Sequence, residues 1–328
     1  MNEPWHQTVI AATGAKSATK QAVIQSLWSG YGEIIRVKLH DGNAPTCIVK
    51  HIKPPTTKQH PRGWNSDYGH QRKLRSYEVE ATWYNDWSQR CDDHCRVPRC
   101  YTAEQFGDEN IFVLEDIDAS GFALRKHQLD MTGALPCLNW LAHFHAKFLN
   151  ETPVGLWPTG TYWHLATRSE EFTAMRNGAV KHAAIAIDKR LNECRFQTLV
   201  HGDAKLANFC FSSDCKKVAA VDFQYVGGGC GIKDVVYLLS SCLDENECER
   251  HESTLLDYYF NALKMALNTY QNRVDVDALE SEWRKLYSIA WADFYRFLLG
   301  WMPTHQKINR YTKKMADQAL QQLDRYHQ

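Results

Sequence analysis

The run His201-Gly202-Asp203-Ala204-Lys205-Leu206-Ala207-Asn208 sets a carboxylate five residues before a carboxamide, and a second carboxylate follows at Asp222. Phosphoryl transfer needs a carboxylate near the attacking hydroxyl and two further oxygen ligands for magnesium. A tight loop would bring Asp203 and Asn208 side by side, and a β-hairpin beyond it would return Asp222 to the same point. Asp203 is therefore the expected catalytic base, with Asn208 and Asp222 as the expected metal ligands. Taken alone, His-Gly-Asp reads as a turn and Asp222 as a strand-end cap. Taken together, each beside an apolar strand at 199–200 or 218–221, they favour the chemical reading.

The order H-x-D-x-x-x-x-N, then Asp-Phe-Gln in place of D-F-G, is that of kinase-like phosphotransferases. With Leu114-Glu115-Asp116-Ile117, Leu141-Ala142-His143-Phe144-His145-Ala146 and Asp234, the chain resembles the aminoglycoside-phosphotransferase and choline-kinase superfamily. It is most similar to the ecdysteroid-kinase-like branch, of which Asp-Phe-Gln is a fairly specific marker. The resemblance implies an α+β, two-lobed protein-kinase-like fold with a small β-rich N-lobe and a larger helical C-lobe. It also implies ATP- and Mg2+-dependent phosphorylation of a hydroxyl on a small molecule.

Such a lobe needs a lysine for the α- and β-phosphates and a helical glutamate to orient it. Lys50, closing Ile48-Val49-Lys50, is the candidate lysine, and Glu80 the candidate partner. Glu80 precedes Trp83-Tyr84 on the expected inward face and matches the family pattern better than Glu78. Gly30 and Gly32 flank Tyr31 where a nucleotide-covering hairpin would turn, and fit a phosphate contact and a plain β-turn equally. The resemblance assigns the backbone of Glu115 to Ile117 to the adenine edge. Two readings stand for Lys205: a cation that offsets charge on the transferred group, or a loop lysine facing solvent. His201 and Asp234 read as braces of the catalytic loop, and His143 and His145 as packed helical histidines.

Short β-branched runs at 23–28, 33–39 and 46–52, separated by Ser29-Gly30-Tyr31-Gly32 and Asp41-Gly42-Asn43, read as a three-strand antiparallel meander. A polar loop at 53–67 and a helix at 73–88 follow, then a short strand at 111–114. Beyond residue 129 helices dominate, one at 135–148 and nearly all the chain from Val235. The expected division is an N-lobe at 1–116 and a C-lobe at 117–328, hinged near Glu115 to Ile117.

Three other signals compete. Gly227-Gly228-Gly229-Cys230-Gly231 superficially resembles a dinucleotide turn, but G-x-G-x-x-G is incomplete and no strand follows to close a βαβ unit. A flexible loop is the expectation there, which weakens an NAD-dependent oxidoreductase. Cys91, His94, Cys95 and Cys100 match no zinc spacing. Trp283, Trp291, Asp293, Tyr295, Arg296 and Trp301 read as core aromatics with an ion pair, or as a wall for the acceptor.

Lys+Arg and Asp+Glu are 38 each, so there is no basic field for nucleic acid or an anionic membrane. No apolar run approaches a membrane span. Eleven scattered cysteines and no leader-like start lead to the expectation of reduced thiols and a cytoplasmic setting. The segment between Asp222 and Asp234 is too short for a regulated activation segment, which favours a small-molecule acceptor over a protein. No obligatory protein partner is expected. The runner-up from another class is a nucleotide-binding pseudokinase that acts as an interaction module.

Overall fold

A computed structural model of the chain describes residues 3–27, 30–54 and 67–326. Helix α1 (Trp5–Thr13) precedes three strands, β1 (Ser17–Ser26), β2 (Gly32–His40) and β3 (Thr46–Ile52). Helix α2 (Asp67–Thr82) runs on through a π-turn at Trp83–Trp87 to strands β4 (Cys100–Phe106) and β5 (Glu109–Glu115). The five strands form one antiparallel sheet in the order β1-β2-β3-β5-β4.

The two-residue period of β3 decides which side each residue serves. Cys47 and Val49 join Trp5, Val9, Ile35, Val37, Ile111 and Val113 in a small core under α1. Ile48 and Ile52 face the other way, toward Phe112, Leu114 and the main core. Lys50 alternates with Val49 and so falls on that second side, paired in register with Ile34 and Phe112. A one-residue slip would drive Lys50 into the α1 core. Each Val or Ile that the slip exposed would cost roughly 1.5–3 kcal/mol, so the hydrophobic pattern also aims the lysine.

The rest is mainly helical, with α3 (Met131–Lys147), α4 (Ser169–Ala174), α5 (Ala179–His182), α6 (Ala184–Asn192), α7 (Ile232–Cys242), α8 (Glu245–Thr269), α9 (Val276–Trp301) and α10 (Arg310–Tyr326). Aspartates cap the long helices. Asp130 accepts from the Gly133 amide (2.7 Å), Asp244 from Asn246 and Glu247 (2.8 and 2.9 Å), and Asp275 from Ala278 (3.0 Å). Two small pairs of strands stand among the helices: β6 (Thr198–Val200) with β9 (Gly227–Gly229), and β7 (Phe209–Phe211) with β8 (Val218–Ala220). A five-stranded sheet ahead of a larger helical part makes the fold α+β.

Several elements differ from expectation. Strand β1 begins at Ser17, ahead of the expected start at Val23; its first half, with exposed Thr19, Lys20 and Gln21, lies on a sheet edge and carries no apolar alternation. The expected end of that strand at Trp28, Ser29 of the first turn, and positions 55–66 of the expected loop lie outside the described residues. Helix α1 and strand β4 are additions to the expected elements. Residues 227–229 form strand β9, not a flexible loop. A Cβ on Gly227 would lie 2.2 Å from the Trp157 carbonyl oxygen, and one on Gly228 2.8 Å from that of Pro158. The glycines are there to let backbones approach. Pairing of β9 is antiparallel, with β6, and α8 rather than a strand follows α7, so no βαβ unit exists here.

All eleven cysteines are unpaired. Among the described residues no group of three or more His, Cys, Asp or Glu side chains is placed to hold a metal, and His94 instead stacks on His143 with ring centres 4.5 Å apart. No described helix is long and apolar enough to cross a membrane.

Candidate active site

The β7–β8 hairpin positions the two ends of the site. Asn208 stands immediately before β7, and Val221, just after β8, donates its amide to the Asn208 carbonyl (3.0 Å). Asp222 is thereby returned to the loop that carries Asp203. Asn208 Nδ2 donates to the Asp203 carbonyl oxygen (2.7 Å) and to Asp203 Oδ2 (3.0 Å). Lys205 Nζ donates to the same Oδ2 (2.7 Å), so this lysine turns inward to Asp203. The Tyr237 hydroxyl lies beside Asp203 and donates to the Tyr162 hydroxyl (3.2 Å).

The backbone of this loop is held from below. Asp234, fully buried at the start of α7, accepts the amides of His201 (2.6 Å) and Gly202 (3.0 Å). His145 on α3 donates Nε2–H to Asp234 (3.2 Å), and its Nδ1 accepts from the Tyr259 hydroxyl (2.8 Å). His201 donates Nε2–H to the Val221 carbonyl (3.1 Å) and accepts the Asp203 amide at Nδ1 (3.2 Å). Burial lowers its pKa, so it stays neutral as a brace. Gly202 has φ +79°, and a Cβ there would lie 1.9 Å from the Tyr225 carbonyl oxygen. Only glycine fits between the histidine and the aspartate.

Asp222 also has positive φ, +70°, a conformation that aspartate adopts more readily than most residues. The next residue, Phe223, is fully buried, stacked on Trp83 (4.4 Å between centres) and against the His201 ring (4.5 Å). Phe223 thus fixes the turn from which the Asp222 carboxylate projects.

Lys50 Nζ meets Glu80 Oε2 (2.6 Å) and Oε1 (2.9 Å), and Asp222 Oδ1 at 3.5 Å. Burial works against the charge on Lys50, but Glu80 and Asp222 overcome it and raise its pKa. Glu78, the alternative, is on the outer face and pairs with Arg75 (3.0 Å). The two cleft aspartates are driven apart. Burial raises Asp203 against the pull of Lys205, whereas Lys50, Lys205 and Lys73 outweigh burial at Asp222 and hold it at about 2.

Lys73, Gln224 and Tyr31 join this cleft unforeseen. Gln224 Nε2 donates to Asp222 Oδ1 (2.7 Å), while Gln224 Oε1 accepts from Lys73 (2.8 Å) and Ser76 (3.3 Å). Burial brings Lys73 down to about 8. The available signal was spacing: Lys73, Tyr77 and Glu80 are four and three residues apart, on one helical face. Tyr31 bonds His70 (2.5 Å) and packs on Tyr77, fastening the β1–β2 turn to α2.

Gly32 has φ +125°, with the His51 carbonyl 2.0 Å from where a Cβ would be, so strand packing alone requires a glycine there. Gly30 is open and belongs to the turn. The Glu115 side chain points away from the cleft, to Arg96 (2.6 Å) and the Arg99 amide (2.9 Å). Its own amide donates to Arg99, and the Ile117 carbonyl accepts from Phe122 (3.0 Å). Asp116 bonds Arg36 (2.7 Å) and Thr46 (2.7 Å), tying this connection to β2 and β3.

In the α9 cluster, Trp283, Trp291, Asp293 and Arg296 are buried. A cavity of about 570 Å³ opens by the end of α7, lined in part by Ser241, Cys242, Trp291, Lys307 and Tyr311. Lys307 Nζ lies 5.4 Å from the centre of the Tyr237 ring, next to Asp203.

Similarity to known proteins follows the same lines. The solved choline kinase of Cryptosporidium parvum superposes with a TM-score of 0.53, at 9% identity, over 92% of this chain and 89% of that one. Amicoumacin kinase in complex with AMP-PNP and Ca2+ gives 0.51 at 13% identity, over 94% and 88%. An uncharacterized kinase-like protein of Caenorhabditis elegans is 24% identical over 220 residues, 58% of this chain. The alignment spans 57% of that relative's length. The model of the ecdysteroid kinase-like family matches residues 58–149 and 160–272, and the chain belongs to that family.

Proposed function

We propose that the protein is an ATP- and Mg2+-dependent kinase of a hydroxyl on a small molecule. The observation that carries this reading is the convergence of Lys50, Glu80, Asp203, Asn208 and Asp222 in one cleft, with the Lys50–Glu80 pair already closed at 2.6 Å. The donor set fits the metal. Asn208 spends its amide nitrogen on Asp203, which leaves its oxygen for a cation, and the low pKa of Asp222 keeps it ionised. Two hard oxygen donors suit Mg2+, which takes its other ligands from water and phosphate.

Mg-ATP would supply the transferable phosphoryl group and the charge neutralisation along it. Asn208 and Asp222 would hold the metal, and Lys50, oriented by Glu80, would meet the α- and β-phosphates. Gly30 and Gly32 would shape the turn above them, and the Glu115 to Ile117 backbone would face the adenine. Asp203 would take the hydroxyl proton of the acceptor at its carboxylate, with burial adding to its basicity. Lys205 would move between Asp203 and the transferred group. The cavity near Lys307 is the region offered to the acceptor.

The test is an ATP-consumption screen against a library of small alcohols. ADP formation should depend on an acceptor and cease with EDTA. Consumption that is indifferent to both acceptor and metal would refute the reading.

A further inference from the structure

Three lysines and three carboxylates meet in the cleft, but their pairing is uneven. Lys50 is clamped by both oxygens of Glu80, and Lys205 is bonded to Asp203. Lys73 has no carboxylate partner among the described residues. Its ammonium donates to a neutral amide oxygen, Gln224 Oε1, at 2.8 Å. Lys73 is half-buried, and its ammonium is held by this amide and the face of the Tyr77 ring rather than by an ion pair; imbalances of this kind gather at functional sites.

Lys73 is also well directed. It is seven residues, two turns, ahead of Glu80 on α2. Between them the Tyr77 ring has Lys73 Nζ 4.7 Å from its centre and Lys50 Nζ 5.9 Å from the same point. The two lysines thus share one ring, and Lys73 is three residues along α2 from His70, to which the β1–β2 turn is fastened through Tyr31. Gln224 reaches Asp222 with its other end (2.7 Å), so Lys73 is tethered to the proposed metal ligand. With Asp222 given to the metal, Lys73, unlike Lys50 and Lys205, has no carboxylate in direct contact among the described residues.

We propose that Lys73 binds the terminal phosphate of the nucleotide, as a second phosphate-contacting cation beside Lys50, and that Gln224 holds it ready. This rests on the ATP reading of the site. It gives the third residue of Asp-Phe-Gln a task that glycine could not perform: one amide keeps the lysine in place with its oxygen and the carboxylate in place with its nitrogen.

The test compares Mg-AMP-PNP with Mg-ADP by calorimetric titration of the full chain. Removing a hydrogen bond to a charged phosphate should weaken AMP-PNP binding by roughly 10- to 100-fold in Lys73→Met. ADP, which lacks the terminal phosphate, should bind within about twofold of wild type, and Lys73→Arg should restore part of the AMP-PNP affinity. Lys73→Gln keeps a polar end for Gln224 and supplies the same comparison if Lys73→Met folds poorly. Equal losses for the two nucleotides, or no loss for either, would overturn the assignment. Wild-type protein that binds neither nucleotide would overturn the ATP reading as well, which separates the two failures.

Discussion

The molecule buries charge in two regions, and treats it differently in each. In the helical part, Arg296 on α9 donates Nε and Nη2 to Asp293 Oδ1 (3.0 and 2.9 Å) and Nη2 to the Trp163 carbonyl (2.8 Å). Trp163 Nε1 in turn donates to Asp293 Oδ2 (3.0 Å). Both carboxylate oxygens are used inside the protein, and the two side chains are 0% and 1% exposed. In the cleft, the Asp222 side chain is 33% exposed, and so is 38% of the Lys205 side chain that bonds Asp203. A network that engages both Asp293 oxygens, though not Arg296 Nη1, which is buried without a hydrogen-bond partner among the described residues, joins α9 to the segment around Trp163. An open one keeps capacity for a ligand.

Substitutions should separate the two. Asp203→Asn keeps size and hydrogen bonding but loses basicity. With a confirmed acceptor, turnover should fall by roughly 10²- to 10⁴-fold, the usual worth of a positioned general base, while nucleotide affinity stays near wild type. Near-normal turnover would remove Asp203 from the chemistry. Arg296→Met should act oppositely, by leaving Asp293 buried without its cation. Denaturant unfolding should report a loss of about 3–5 kcal/mol, with nucleotide affinity unchanged in whatever fraction folds. An Arg296→Met protein as stable as wild type would mean that the network contributes nothing to the fold.

A smaller effect concerns His143, which is part of neither network. Burial, with His94 adding to it, lowers its pKa from 6.5 to about 4. Between those values the unfolded chain binds more protons than the folded one, so this histidine makes stability fall as pH drops from about 6.5 to 4. His143→Gln should flatten that part of the curve of melting temperature against pH. An unchanged slope would assign the acid sensitivity to other groups.

How far the sequence could be read follows from the same contrast. Asp203, Asn208 and Asp222 stood out because a fixed step and flanking strands left few alternatives, and the structure brings them within hydrogen-bonding reach of one another's loops. The start of strand β1 is not legible in the sequence because an edge strand of exposed Thr, Lys and Gln carries no two-residue pattern. Gly227 to Gly231 reads as a flexible loop, since a sequence does not disclose that Trp157 and Pro158 pack against its first two glycines. The α9 cluster stayed ambiguous because Trp163, more than a hundred residues earlier, decides whether Asp293 is closed or open. Lys73 does not stand out in the sequence, although its helical spacing to Glu80 is visible there, because its meaning depends on Gln224.

The most direct test of the central claim is the shift in melting temperature with Mg-ATP. A ligand bound only by the folded protein stabilises it by about 2.7 kcal/mol at a hundredfold excess over Kd. Wild type should show a shift with ATP that grows when magnesium is added. Asp222→Ala should lose most of the magnesium-dependent part. Equal magnesium-dependent shifts in the two proteins would contradict the account, since Asp222 would then not hold the metal.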